Sequence, residues 1–313
     1  DMVVTLSHTG YIKSQPLTDY RAQRRGGRGK QAAAIKEDDF VDHLFVANTH
    51  DYILCFSNRG RVYWIKVYEV PQGSRNSRGK PIVNMFPLEE GEKINAILPV
   101  KEFAQDRYIF MATSQGTVKK TPLSEFSNPR KAGIIAVALD EDDYLIGAEI
   151  TNGENDIVLV SDIGRAVWFD EEDVRPMGRP ARGVRGMKLG KGQQVLSLLV
   201  ADNDQQTVLV ATENGFGKRT ALADFRHSGR GTQGVMAIKA SDRNGKVVAA
   251  KLVTDEDEIM LITTGGVLIR TRVSEIRELG RATQGVTLIS LDSGEKLAGL
   301  EKIVETDDDA EEA

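Results

Sequence analysis

Val208-Leu209-Val210-Ala211-Thr212-Glu213-Asn214-Gly215 is the stretch that decides the fold. Five apolar or β-branched residues run into two polar residues and a glycine. This reads as a buried strand ending in a tight turn. The same signature occurs six times, with turn glycines expected at Gly10, Gly60, Gly116, Gly164, Gly215 and Gly265, spaced 50, 56, 48, 51 and 50 residues apart. Val3-Val4-Thr5-Leu6, Ile109-Phe110-Met111-Ala112-Thr113 and Ile259-Met260-Leu261-Ile262-Thr263 are other copies of the strand.

Further positions repeat in register. Nine residues after the turn glycine stands an acid: Asp19, Glu69, Glu125, Asp173 and Asp224, with Glu275 one later. An apolar residue follows each. These acids are expected to satisfy turns or cap backbone amides rather than to do chemistry. A second glycine follows 17 to 20 residues after the first: Gly29, Gly79, Gly133, Gly183, Gly234 and Gly285. No long segment holds a helical period. The chain is therefore expected to be all-β, a propeller-like array of six blades spanning residues 1–304, with an acidic tail at 305–313 too polar to join a core.

The net charge of −5 hides an uneven distribution. The tail holds six acids and no base; without it 41 basic residues face 40 acidic ones. Two stretches, 20–36 and 174–201, each carry six basic residues and no acid. Such blocks focus positive potential on part of a surface. The single cysteine, Cys55, lies in the apolar run Ile53-Leu54-Cys55-Phe56 and is expected to be buried and inert. One cysteine excludes an internal disulfide framework and fits a reducing compartment. No apolar run is long enough to span a bilayer as a helix. A start at Asp1 reads as a cut from a longer polypeptide.

The sharpest signal precedes the second glycine. Four residues ahead of it stand Arg25, Arg75, Pro129, Arg179, Arg230 and Arg281; one residue ahead stand Arg28, Arg78, Ala132, Arg182, Gln233 and Gln284. Five repeats thus carry Arg-x-x-[Arg/Gln]-Gly. The third offers Arg130 and Lys131 instead, and Arg185 follows the fourth turn. Blades set around an axis place corresponding turns at corresponding radii, so one cationic turn per blade makes a positive track along the rim. Glycine lets the backbone approach a phosphate, and arginine supplies a fork that matches its oxygens.

The first repeat is the richest: Gln23-Arg24-Arg25-Gly26-Gly27-Arg28-Gly29, followed by Lys30. This heptad matches, without a departure, the box that marks the C-terminal domain of the gyrase A protein of DNA gyrase, and the chain resembles that family over about residues 1–304. The resemblance implies a six-bladed β-pinwheel that binds double-stranded DNA and wraps it with positive handedness. It implies a place in an A2B2 complex formed by the remainder of the dimeric gyrase A protein with the gyrase B protein, whose ATP-driven reaction introduces negative supercoils. It also implies a cytoplasmic location beside the bacterial chromosome, away from membranes. The alternatives are the related C-terminal domain of topoisomerase IV, against which the intact box and six repeats argue, and a protein-interaction propeller, which would present apolar patches rather than arginine turns.

No catalytic, cofactor or metal site is expected. Gly229-Arg230-Gly231-Thr232-Gln233-Gly234 fits a dinucleotide fingerprint only formally, because an apolar strand rather than a helix follows it. His8, His43, His50 and His227 lack ligand spacing. Tyr108 opens a repeat strand and is read as core or strand edge, not as a DNA-cleaving nucleophile.

Overall fold

The computed structural model describes residues 1–20, 39–74, 76–202, 205–225, 228–239, 241–281 and 283–304. The fold is an all-β, six-bladed β-propeller arrangement with almost no helix. The first repeat supplies β1 (Met2–Ser7), β2 (Tyr11–Pro16) and β3 (Val41–Ala47). The second supplies β4 (Tyr52–Ser57), β5 (Arg61–Lys66), β6 (Lys80–Pro81) and β7 (Ile94–Val100). The third supplies β8 (Tyr108–Thr113), β9 (Thr117–Pro122), β10 (Ile134–Ile135) and β11 (Leu145–Thr151). The fourth supplies β12 (Asp156–Ser161), β13 (Arg165–Asp170), β14 (Val184–Arg185) and β15 (Val195–Ala201). The fifth supplies β16 (Thr207–Thr212), β17 (Phe216–Ala221), β18 (Val235–Met236) and β19 (Val247–Val253). The sixth supplies β20 (Glu258–Thr263), β21 (Leu268–Arg272), β22 (Val286–Thr287) and β23 (Leu297–Ile303).

The blades are not built from one repeat each. Five sheets take three long strands from one repeat and the two-residue strand from the next, in the orders β3-β1-β2-β6, β7-β4-β5-β10, β11-β8-β9-β14, β15-β12-β13-β18 and β19-β16-β17-β22. Among the described residues the sixth sheet has three strands, β21-β20-β23. The last long strands of the second to sixth repeats lie beside one another in turn, and β23 returns beside β3. The borrowed short strand therefore sits at the opposite, outer edge of each sheet.

The turn chemistry is as regular as the strands. Gly10, Gly60, Gly116, Gly164 and Gly215 all take positive φ, and in the sixth repeat it is Gly266, not the expected Gly265, that does so. Counting from Gly266 places Glu275 nine residues on, in step with the other acids. Each central strand also shifts register against the inner strand at its last residue, as at Val160/Ser161 and Ala211/Thr212. Such a bulge adds local twist beside the turn.

In the first five blades the apolar runs are continuous because both faces of the central strands are buried; in β20 Ile259 and Leu261 are buried while Met260 and Ile262 on the other face are only partly so. Ile157 and Leu159 pack toward the third blade, whereas Val158 and Val160 pack toward the fifth. Five apolar clusters fill the spaces between successive blades from first to sixth. Cys55 is fully buried, and burial pushes its thiol well above the ordinary range. Glu69, Glu125, Asp173, Asp224 and Glu275 stand in single 3-10 turns after the second strand and Asp19 in an α-helical turn; Glu69 accepts from the Lys66 amide at 3.0 Å, as a cap should.

A candidate nucleic-acid interface on the outer edge

The turns of repeats two to six lead into the borrowed strands, so each of these five lies at the outer edge of the preceding blade rather than on its own. The fourth repeat shows how the chain reaches that edge. The Met177 amide donates to the Lys120 carbonyl at 2.7 Å, Ala181 closes a turn onto Gly178 at 3.2 Å, and Val184 and Arg185 pair with Val118 and Thr117. Gly183 makes the approach possible: φ is +100°, and a Cβ there would collide with the Val118 carbonyl. In the fifth repeat the Ser228 hydroxyl accepts from the Trp168 amide at 2.8 Å, and Val235 pairs with Ala166.

Successive turns are stitched together. The Ala138 amide donates to Ala181 O at 3.4 Å, Lys188 to Thr232 O at 2.8 Å, and Lys239 to Thr283 O at 2.9 Å. Arg230 adds a bond from Nη1 to Arg185 O at 2.8 Å, and Arg281 from Nη1 to Met236 O at 3.1 Å. The turns of repeats three to six thus form one hydrogen-bonded belt. A belt of this kind holds cationic side chains at fixed spacing.

The site residues expected from the sequence divide by exposure. Arg130, Lys131, Arg182, Arg185 and Arg230 are exposed, with Arg182 paired to exposed Asp140. Solvent screens that pair, so it leaves Arg182 able to exchange its carboxylate for another anion. Arg78, Arg179 and Arg281 are half-buried. Arg78 stacks on the Tyr11 ring at 3.9 Å, and Arg281 braces the adjoining turn. Gln23, Arg24, Arg25, Gly26, Gly27, Arg28, Gly29, Lys30 and Arg75 lie outside the described residues, as does the tail 305–313.

Sequence reasoning missed a second set of cations, buried behind the belt. Lys119 and Lys218 are fully buried, and their ammonium groups meet main-chain carbonyls of the fourth and sixth turns. Burial lowers both to about 8. A signal for them exists: the third residue after the first turn glycine is Lys13, Lys119 and Lys218 in repeats one, three and five.

Among the described residues, no group of three or more His, Cys, Asp or Glu side chains is placed to hold a metal ion. No described helix is long and apolar enough to cross a membrane. Tyr108 begins β8, half-buried, with the Lys120 ammonium 4.8 Å from its ring centre.

Residues 1–48, 51–101, 107–152, 155–202, 206–254 and 257–303 match the sequence family described as DNA gyrase C-terminal domain, beta-propeller. The chain is 56% identical over 311 residues to the gyrase A protein of Salmonella typhimurium DNA gyrase, covering 99% of this chain and 35% of that protein. It therefore spans about a third of the length of the curated relative. A solved C-terminal domain of DNA topoisomerase IV superposes with a TM-score of 0.88 at 28% identity, covering 99% of this chain and 95% of that one. A solved DNA gyrase A C-terminal domain superposes with a TM-score of 0.71 at 30% identity, covering 97% and 99%.

Proposed function

Because the chain belongs to the DNA gyrase C-terminal domain family, we propose that it binds double-stranded DNA along its outer edge, bends it and wraps it with positive handedness. The wrap presents a second segment of the same molecule to the strand-passage gate, so that the ATP-driven enzyme introduces negative supercoils. Cleavage and ATP hydrolysis belong to other domains. The partners are the remainder of the dimeric gyrase A protein and the gyrase B protein in an A2B2 assembly. Residues 1–304 act as the wrapping unit, and the work is done in the bacterial cytoplasm.

The observation that carries this reading is the belt itself: arginine turns on the outer edges of successive blades, linked by main-chain hydrogen bonds. Guanidinium groups and exposed turn backbone suit phosphate oxygens. Apart from an α-helical turn at 17–20, the described helices are single 3-10 turns, too short to read a major groove, so sequence preference arises from DNA deformability. The exposed contributors are Arg130, Lys131, Arg182, Arg185 and Arg230, together with the basic box at 23–30.

The test is binding of random-sequence duplex against salt. With roughly six phosphates neutralised, the log–log slope is near −5. Tight, salt-insensitive binding confined to one short sequence overturns the reading. The close superposition on the topoisomerase IV domain supports one rival, a wrapping unit for decatenation. Grafting the chain onto a gyrase core and assaying supercoiling against decatenation separates the two. The acidic tail either competes with DNA for the basic edge or serves solubility alone: if it screens the edge, its deletion raises affinity most at low salt, and unchanged affinity there leaves only the solubility role.

A further inference from the structure

The hairpin turns fix a register in which the outer-edge strand of each blade can be compared. The third residue after the positive-φ glycine is Lys13, Tyr63, Lys119, Val167, Lys218 and Ile269 in order; the first is Tyr11, Arg61, Thr117, Arg165, Phe216 and Val267. Lysine at the third position alternates with arginine at the first. Every one of these cations reaches the main chain of the next repeat's turn. Lys13 Nζ donates to Ser74 O at 3.1 Å and Ser77 O at 2.9 Å. Arg61 Nη2 donates to Ala132 O at 3.0 Å and Gly133 O at 3.2 Å. Lys119 Nζ donates to Ala136 O at 2.7 Å and to Arg179 O. Arg165 donates from Nε to Gln233 O at 3.1 Å and from Nη2 to Gly234 O at 2.7 Å. Lys218 Nζ meets Gly280 O at 2.7 Å, Thr283 O at 2.9 Å, Thr283 Oγ1 at 3.1 Å and Arg281 O.

Five blade junctions therefore share a device of two alternating types. The sixth blade is the exception, with exposed Val267 and Ile269 at the two positions. The arginines further along its edge strand, Arg270 and Arg272, lie on Glu258.

We propose that Lys13, Arg61, Lys119, Arg165 and Lys218 are positioning residues for phosphodiester oxygens: each draws carbonyls of the next repeat's turn onto a cation, Lys119 together with Ala136 O of its own repeat, so that the turn meets DNA with its amides and guanidinium groups and with less exposed carbonyl oxygen. The inference rests on the DNA-binding reading of the outer edge and deepens it. Turn carbonyls left free would present partial negative charge toward the phosphate. A cation drawn behind them cancels that charge and adds its own field, which is only weakly screened when the cation is buried. The device also fixes spacing, since the carbonyls it collects include those of Arg179, Arg281 and the second glycines Gly133 and Gly234.

Titration gives a handle on the two buried lysines. Lys119 faces Glu125, which favours its charged form, and Arg179, which opposes it; Lys218 faces Arg281, which opposes it. Burial is the largest cause in both; it outweighs Glu125 at Lys119 and is reinforced by Arg179 and Arg281, so that both groups are lowered to about 8.

The experiment compares the full chain with its Lys119→Met/Lys218→Met variant, which keeps the apolar stems and removes both charges. Circular dichroism checks folding, and amide hydrogen exchange follows segments 178–183 and 280–285. Affinity for a random-sequence duplex is measured as pH is raised through about 8. We expect a folded variant with faster exchange in those two segments and unchanged exchange in β12 and β20. Affinity near neutral pH falls about tenfold, the size of one lost charge-assisted contact set. Wild-type affinity declines through about pH 8 and the variant's does not. A folded variant with wild-type affinity and a wild-type pH profile overturns the proposal. If the wild-type chain itself shows no salt-sensitive duplex binding, the DNA-binding reading fails. The exchange data then decide whether the cations order the turns at all. Should the double variant not fold, Lys218→Gln alone is read in the same way.

Discussion

The carbonyl oxygen of Ala166 occupies the space that a Cβ on Gly234 would need, although the two residues belong to successive repeats. Gly234 also takes φ of +74°, in the left-handed region. The contact lets Val235 pair with Ala166 and completes the fourth blade with a strand from the fifth repeat. Replacing Gly234 by Ala should therefore combine left-handed strain with a main-chain collision, a loss of about 2–4 kcal/mol. Gly192 has a similar φ of +77° but open space around it, so Gly192→Ala isolates the strain and should cost about 1–2 kcal/mol. Denaturant titrations of the two variants give the comparison. Equal losses would show that the close approach contributes nothing.

The junction from the second repeat to the third is tied by a tryptophan. Trp64 Nε1 donates to the Phe126 carbonyl at 2.8 Å, joining the second blade to the 3-10 turn of the third repeat. Phe126 in turn packs edge-on against Phe56, with ring centres 5.9 Å apart. Trp64→Phe retains much of the aromatic area and removes the donor. The expected loss is about 0.5–1.5 kcal/mol by urea unfolding. A variant as stable as the parent would mean that water replaces the indole without cost.

The seam between the last and first blades carries a titratable cluster. Asp42 accepts from His8 at 3.2 Å and from His43 at 2.8 Å, with Glu301 of β23 adding to the field at His8. The bond to Asp42 raises His8 above 6.5 despite partial burial. Asp42 is lowered below 3.8, the two histidines outweighing the burial that would raise it. The His8 contribution is thus complete below pH 6.5 and fades as pH climbs through its raised value. The Asp42 contribution is present above pH 3.8 and is lost as pH falls through its depressed value. Asp42→Asn should destabilise the chain most between those limits and progressively less at alkaline pH. Denaturant midpoints of parent and variant across this range measure the difference. A pH-independent gap would remove the cluster from the seam's energetics.

Much of this architecture is legible in the sequence because the central strands of the first five blades are buried on both faces, which writes each of them as an unbroken apolar run, and β20 keeps the same run although one of its faces is only partly buried. Val208–Thr212 and Ile259–Thr263 give blade number and period directly. The pair Gly265-Gly266 misplaces one turn by a residue, since two adjacent glycines offer the same composition and only φ distinguishes them. The borrowed strands are not legible. Two residues such as Val184–Arg185 are too few to carry an alternating pattern, and their partners lie more than sixty residues upstream. For the same reason the sequence suggests one arginine turn on each repeat's own blade, when the chain carries those of repeats two to six to the edge of the blade before. The lysines at 13, 119 and 218 illustrate a different limit. Their spacing is visible, but an isolated lysine in a strand reads as solvated charge until the carbonyls around it are seen.

The densest basic cluster, Arg24, Arg25 and Arg28, provides the test that separates wrapping from binding. Replacing all three by Ala leaves the repeat strands untouched, and in the proposed reading the turns bearing Arg78, Arg179, Arg182, Arg230 and Arg281 still attract DNA. Affinity is then expected to fall only in part, because the remaining turns would keep phosphate contacts of their own. Wrapping answers to a different balance: smooth bending of a few tens of base pairs costs about 1–6 kcal/mol, and that cost is offset only while contacts continue along the edge. Losing the anchoring turn should release one end of the wrap. In an intact gyrase the triple variant is then expected to lose ATP-dependent negative supercoiling while still relaxing and decatenating DNA, since strand passage needs no wrap. A supercoiling assay run beside a decatenation assay, with circular dichroism to confirm the fold, decides it. Wild-type supercoiling by the folded variant would show that wrapping is anchored elsewhere on the edge.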